Sequence, residues 1–279
     1  MHTGPTGVSR PRVSAHRVVA VSAPIGPKTA RNARPGLGDS GFMDLLETSR
    51  RSLHRVAVHV VARARVEASG RFSLRVAPGG FGTPDLAPAG RRVRVSGANL
   101  VVESDEPGKA AARSIGIAGS SLADLAAFAG VDLAAPLDVG HDTPPVGTAD
   151  APMDLDAEGA GIVNDWFGLV AAMLDRVLAD LPGAAAPTLA RLWPEHFDVA
   201  VEAQAGSGRR VNLGGSPGDG FSGEPYLYVG PWTSDRPGDA GYWNAPFGAF
   251  QTRGELGGDG AAMVRAGAAF LVDGYRRLL

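Results

Sequence analysis

Glu195, His196 and Asp198 place an imidazole and two carboxyls within four consecutive positions. An imidazole changes charge near neutral pH, and a neighbouring carboxylate can orient it or share a cation with it. The trio therefore reads as a catalytic group, with His196 as acid/base or ligand and Glu195 and Asp198 beside it. Phe197, Val199, Val201 and Ala203 alternate with Asp198, Ala200 and Glu202, the pattern of a strand with one buried face. On such a strand His196 and Asp198 share the polar side about 7 Å apart, close enough for a common ligand or metal ion. Glu202, about 20 Å from His196, is too far along to join them.

A second set follows within forty residues: Asp219, Glu224, Tyr226, Tyr228 and Trp232. Ser216-Pro217-Gly218-Asp219 fits a tight turn, with Pro fixing φ at the second position and Gly accepting a positive φ at the third. It is not a phosphate loop, because the GK[ST] ending is missing and Asp219 would repel an anion. Tyr226 and Tyr228 share one strand face. With Trp232 and Trp243 nearby in sequence they either line a pocket for an apolar or planar ligand or form the rim of a core. Three of the four Trp and three of the four Tyr fall between Leu192 and Phe250, which marks this stretch as the ligand-binding candidate.

The elements that must position these groups are legible to different degrees. From Met43 onward Leu53, Val56, Ala57, Val60, Val61 and Ala64 repeat at helical spacing, with Arg50, Arg51, Arg55 and Arg63 elsewhere around the helix. His54 and His59 are five apart, about 140° around that helix, so they are surface or packing histidines rather than a chelating pair. Arg71 to Val76 alternates as a half-buried strand, and residues 78–84, PGGFGTP, read as a loop because Gly79, Gly80 and Pro84 weaken a ladder. Arg92–Val95 and Asn99–Glu103 form a hairpin around Ser96-Gly97. Ser120 or Ser121 caps a short helix that Gly130 ends. A Pro- and Asp-containing connection over 131–155, His141-Asp142 included, leads to a long apolar helix from about Asp156 to Leu181, which must pack on a sheet. A second amphipathic helix, about Ala261 to Leu279, closes the chain. Arg75-Val76-x-x-Gly79-Gly80 and Arg210-Val211-x-x-Gly214-Gly215 share RVxxGG, which either a duplication or chance in an Arg/Gly-rich chain explains.

The fold class expected is α+β, antiparallel strands flanked by helices, with two related halves. The body is one unit over 43–279, made of 43–130, the linker 131–155 and 156–279. Residues 1–42 carry six basic side chains and one acid, so the net charge of −2 splits into +5 there and −7 over the rest. Broken by Pro and Gly and without a hydrophobic period, they read as a disordered basic extension or as the product of a start placed too early. An acidic body argues against nucleic acid as a partner, which would need clustered cations. No apolar run approaches the roughly 20 residues that span a bilayer. The absence of cysteine removes disulfides, thiolate metal sites and a Cys nucleophile, and fits a cytoplasmic protein.

Residues 192–198, LWPEHFD, with Ser216-Pro-Gly-Asp219 and residues 224–232, EPYLYVGPW, resemble the signature of uncharacterised actinobacterial proteins, and residues 75–84 are similar to theirs too. The resemblance runs from about Met43 to the C-terminus and implies no catalytic residues. Two functions stay open. One is binding or transforming a small molecule at a His/carboxylate/aromatic cleft within 192–250, with the cofactor and any metal unidentified. The other is a non-catalytic interaction or self-association module using the Trp/Tyr-rich loops, with a homo-oligomer as one form.

Overall fold

The computed structural model describes residues 39–279, apart from 88, 89, 106, 109, 110 and 141. Residues 1–38, most of the basic extension, and His141 therefore lie outside the described residues. The described residues from Asp39 to Leu279 form one compact unit.

The first helical stretch is a continuous rod of α1 (Asp39–Val56), a π-helical turn over Ala57–Ala62 and α2 (Arg63–Ser69). It begins four residues before Met43. All six apolar residues read at helical spacing are buried, and Gly70 at φ +66° ends the rod in the left-handed conformation that glycine adopts without cost.

An antiparallel meander follows: β1 (Arg75–Ala77), β2 (Gly80–Gly82), β3 (Arg91–Ser96), β4 (Asn99–Ser104) and β5 (Ala112–Gly116), paired in chain order. The predicted hairpin is β3–β4, whose last pair is Ser96 with Asn99 and whose turn uses Gly97 at φ +59°. Two expectations need correction. The strand read over Arg71–Val76 begins only at Arg75, after an isolated bridge at Leu74, and Ser73 on its supposed outer face is buried under Arg65 Nη1 at 3.0 Å. Residues 80–82, read as loop, form the buried second strand. Its glycines are there for space: a Cβ on Gly80 would meet Val95 O at 2.5 Å, and one on Gly82 would meet Val93 O at 2.9 Å and collide with Arg94 Cβ.

Ser121 caps α3 (Leu122–Ala129) in a reciprocal capping box with Asp124, and Gly130 ends it, as the sequence suggested. The connection over 131–155 is irregular but tied down. Arg63 Nη1 donates to Asp132 O at 2.8 Å and Ala135 O at 2.7 Å, His59 Nε2 to Pro144 O at 2.8 Å, and Arg55 Nη2 to Val146 O. The three side chains are four residues apart and so lie along one side of the rod. The same connection buries Val139, Met153 and Leu155.

α4 (Ala157–Asp180) starts at Asp156, whose carboxylate accepts from Glu158 N and Gly159 N. Trp166, Phe167, Val170, Met173, Leu174 and Val177 are fully buried, because α4 packs between α1, the last helix and both sheets. The second meander repeats the plan of the first: β6 (Arg191–Trp193), β7 (Asp198–Gln204), β8 (Arg210–Ser216), β9 (Tyr226–Pro231) and β10 (Ala249–Thr252). The short α5 (Arg253–Leu256) and the terminal α6 (Gly260–Arg277) complete it. The fold is α+β with two halves of like order, helix, five-stranded antiparallel meander, helix. Their sheets meet where Leu74 and Leu192 exchange backbone hydrogen bonds of 2.7 and 3.0 Å. The RVxxGG echo spans β1–β2 in one half and lies inside β8, the third strand, in the other, so it does not mark equivalent positions. Among the described residues no helix is long and apolar enough to cross a membrane.

Candidate functional site

One face of the second sheet carries a row of polar groups that would be costly in a core if left unpaired. Tyr228 on β9 lies across Gly214 of β8, where a Cβ would sit 2.7 Å from its hydroxyl and 2.8 Å from Cζ, and its hydroxyl donates to Asp198 Oδ2 on β7. Asp198 is 6% exposed and its Oδ1 has no partner. Burial pushes its carboxyl up to about 7, against the opposing effect of the Tyr228 hydrogen bond, and raises the Tyr228 phenol well above its ordinary value.

Tyr226, two residues before on the same face, makes a parallel pair by donating to Asp219 Oδ2 at 2.6 Å. Asp219 organises the β8–β9 loop. Its Oδ1 accepts from Phe221 N at 2.8 Å and Ser222 N at 3.2 Å, and Ser216 Oγ also reaches Oδ2 at 3.3 Å. Gly218 takes the positive φ expected of it, +105°, but residues 216–219 form a bend rather than the expected tight turn: Ser216 ends β8 and Asp219 N donates onward to Ser222 O at 2.7 Å. Phe221, Phe247 and Phe250 pack edge-on around the two tyrosines.

The β6–β7 turn places the other candidates. Phe197 has φ +54°, a left-handed conformation unusual for a residue with a Cβ. Its ring is held by Phe167 at 5.1 Å, Phe81 at 5.5 Å and a stacked His54 at 4.9 Å. This is why the strand begins at Asp198 and not before His196. The turn breaks the alternation, sends His196 outward and leaves Glu195 buried. His196 Nδ1 lies 3.4 Å from Asp142 Oδ2, with both side chains about half exposed. Glu195 packs against Gly140 with Oε2 unpartnered, and burial pushes its carboxyl up.

A cleft of about 220 Å³ opens between these loops and the first helix. Its walls are Glu47, Arg50, Arg51 and His54 from α1, His196 and Phe197 from the β6–β7 turn, and Gly218, Asp219 and Gly220 from the β8–β9 loop. His54 Nε2 donates to Pro194 O at 2.8 Å, and burial holds its imidazole down to about 4, so it is neutral at physiological pH. Arg50 sinks into the wall with its pKa lowered by burial, and Nη1 reaches Gly223 O at 3.4 Å.

Of the predicted catalytic trio, His196 alone lines the cleft; Glu195 and Asp198 are buried beside and behind it. Of the predicted ligand-binding set, Asp219 lines it, and Tyr226 and Tyr228 stand behind Asp219 and Asp198 as hydrogen-bond donors. Glu224 is exposed, with its carboxylate near Gly254 at the start of α5. Trp232 lies six residues, roughly 20 Å, from Tyr226 along the β9 direction. There its Nε1 donates to Asn212 Oδ1 at 3.1 Å and the Arg210 guanidinium stacks on its ring at 4.0 Å. Trp243 donates to Pro237 O at 2.9 Å. The aromatic crowding in sequence therefore separates into several places. The helix contribution was overlooked, although 47, 50, 51 and 54 have i, i+3, i+4, i+7 spacing and so form one polar stripe. Among the described residues no group of three or more His, Cys, Asp or Glu is placed to hold a metal ion.

The cleft thus brings together two arginines, two carboxylates (Glu47 and the hydrogen-bonded Asp219), the buried His54 and the outward His196, a polar lining with hydrogen-bonding groups of both kinds. Comparison with protein-family models, with curated proteins and with solved structures finds no match for this chain.

Proposed function

We propose that the cleft between α1 and the β6–β7 and β8–β9 loops is the binding site for a small molecule. Any chemistry there would use His196 as acid/base and Asp219 to fix the loop. The observation that supports this reading is the meeting of a polar stripe on α1 with His196 and Asp219 from two separate loops around one concavity. At about 220 Å³ the space suits a small metabolite rather than a drug-sized ligand, which needs roughly 300 Å³ or more. The protein would act in the cytoplasm, which the absence of cysteine fits.

Native mass spectrometry against the small-molecule fraction of a cell extract tests this. An adduct on the wild-type chain, lost on denaturation and diminished in His196→Ala, is the expected result. His196 is half exposed, so the substitution leaves the core intact. Adducts of equal intensity on both proteins would count against the site.

A second reading rests on Trp232, which is 55% exposed at the far end of β9 and is the anchor type enriched at interfaces. In this reading the chain self-associates through that end of the sheet. Sedimentation equilibrium showing a monomer at every concentration would remove it.

A further inference from the structure

We infer that the cleft holds its ligand by an anionic oxygen group, a carboxylate or a phosphate, gripped by Arg50 with Arg51 beside it. This rests on the small-molecule reading above and gives it a ligand class.

The case begins with what Arg50 lacks. A guanidinium carries five N–H donors in a planar fork. Among the described residues Arg50 has one hydrogen bond, the 3.4 Å contact of Nη1 with Gly223 O, and no carboxylate in ion-pair contact. None of its nitrogens is among the fully enclosed, unpartnered atoms, as Arg55 Nε and Arg63 Nε are. The remaining donors are thus not fully enclosed, and Arg50 is a wall of the cleft. Gly218 makes this possible, because a Cβ there would collide with Arg50 Nη1.

The acids nearby do not fill the role of counter-ion. Glu47 and, after it, Asp219 attract Arg50 through space. The Asp219 charge that argues against a phosphate loop at 216–219 is already engaged, its two oxygens accepting from Phe221 N, Ser222 N, Ser216 Oγ and Tyr226 Oη. Glu47 is exposed at the rim, one helical turn before Arg51, and makes no ion pair with either arginine. Arg51 is exposed next to Arg50 on the same wall, with Gly220 on the opposite lip. Two arginines lining a small recess match the oxygens of a carboxylate or phosphate, which an arginine fork binds through paired, charge-assisted hydrogen bonds.

Amide-resolved NMR titration with acetate, inorganic phosphate and neutral acetamide, at constant ionic strength, tests the inference. Acetate or phosphate should shift resonances of Gly218–Gly220 and of the 47–54 face of α1, saturably, with acetamide at least tenfold weaker. Arg50→Gln should weaken the anion tenfold or more, Arg50→Lys less, and Arg51→Gln less still. Stronger response to acetate would identify a carboxylate ligand, and to phosphate a phosphorylated one. If Arg50→Gln does not fold, as judged by its thermal melt, Arg50→Lys and Arg51→Gln carry the comparison. Acetate and acetamide acting alike, with no effect of either arginine, would overturn the anion inference and leave the small-molecule site standing. No response in the cleft to any probe, charged or neutral, would overturn both.

Discussion

The hydroxyl of Tyr228 reaches from one strand across a second to Asp198 on a third, and it does so only because Gly214 lies beneath its ring. A side chain at position 214 would stand where the phenol lies. Tyr228–Asp198 fixes the floor behind the cleft, and Tyr226–Asp219 beside it fixes the loop that forms one wall.

Gly214→Ala should therefore destabilise the protein by about 1–3 kcal/mol, the usual cost of overpacking. The new Cβ would meet Val199 O at 2.6 Å as well as the Tyr228 ring. Chemical denaturation measures the loss, and adding Tyr228→Ala should recover part of it. An alanine tolerated without loss would mean that the ring does not lie over Gly214.

Asp198 makes a second prediction through its carboxyl, raised to about 7 from 3.8 by burial. Between those values the folded state holds a proton that the unfolded state releases, so stability falls as pH rises through this window. Realised in full, the difference is on the order of 4 kcal/mol. Asp198→Asn removes it. Relative to the wild type, the variant should gain stability from about pH 4 to 7 and level off above that in urea titrations, and a pH-independent difference would contradict the buried carboxyl.

His54 acts in the opposite direction. Its imidazole is lowered from 6.5 to about 4, so between those values the unfolded chain binds the extra proton and stability rises with pH. The span corresponds to roughly 3 kcal/mol. In the wild type the His54 and Asp198 slopes oppose each other between about pH 4 and 6.5. His54→Gln, which keeps a donor for Pro194 O, should leave the falling slope alone and lose stability on going from pH 4.5 to 6.5.

Arg63 is the clearest test of the tether on residues 131–155. It is buried and donates to both Asp132 O and Ala135 O. Arg63→Met fills similar space without the donors, and should cost about 2–4 kcal/mol while opening the connection to limited proteolysis. Cleavage no faster than in the wild type would show that the connection is held by other contacts.

These residues also show why some of the architecture was legible in sequence and some was not. α4 announced itself through a long apolar face and a proline at its end, α3 through Ser121 and Gly130, and the β3–β4 hairpin through alternation around a Gly. Such signals are local. β2 was misread because Gly80 and Gly82 weaken a strand in isolation, and their reason, the approach of β3, lies outside the segment. His196 was assigned to the wrong side because Phe197 turns left-handed under the grip of Phe81, Phe167 and His54, which come from three other elements. Asp198 and Tyr228 stand out in sequence as a catalytic and a ligand-binding candidate, but their pairing with each other depends on strand register. The cleft itself joins α1 to loops more than a hundred residues away, and no local pattern encodes that meeting.

The most direct measurement of the central claim is amide-resolved NMR of the protein against a library of small polar fragments. The account predicts that binders shift a single patch made of residues 47–54, 196–197 and 218–220, and that His196→Ala or Arg50→Gln diminishes the response. Binders that gather instead around Asn212, Arg210 and Trp232, or that leave the patch unmoved, would contradict it.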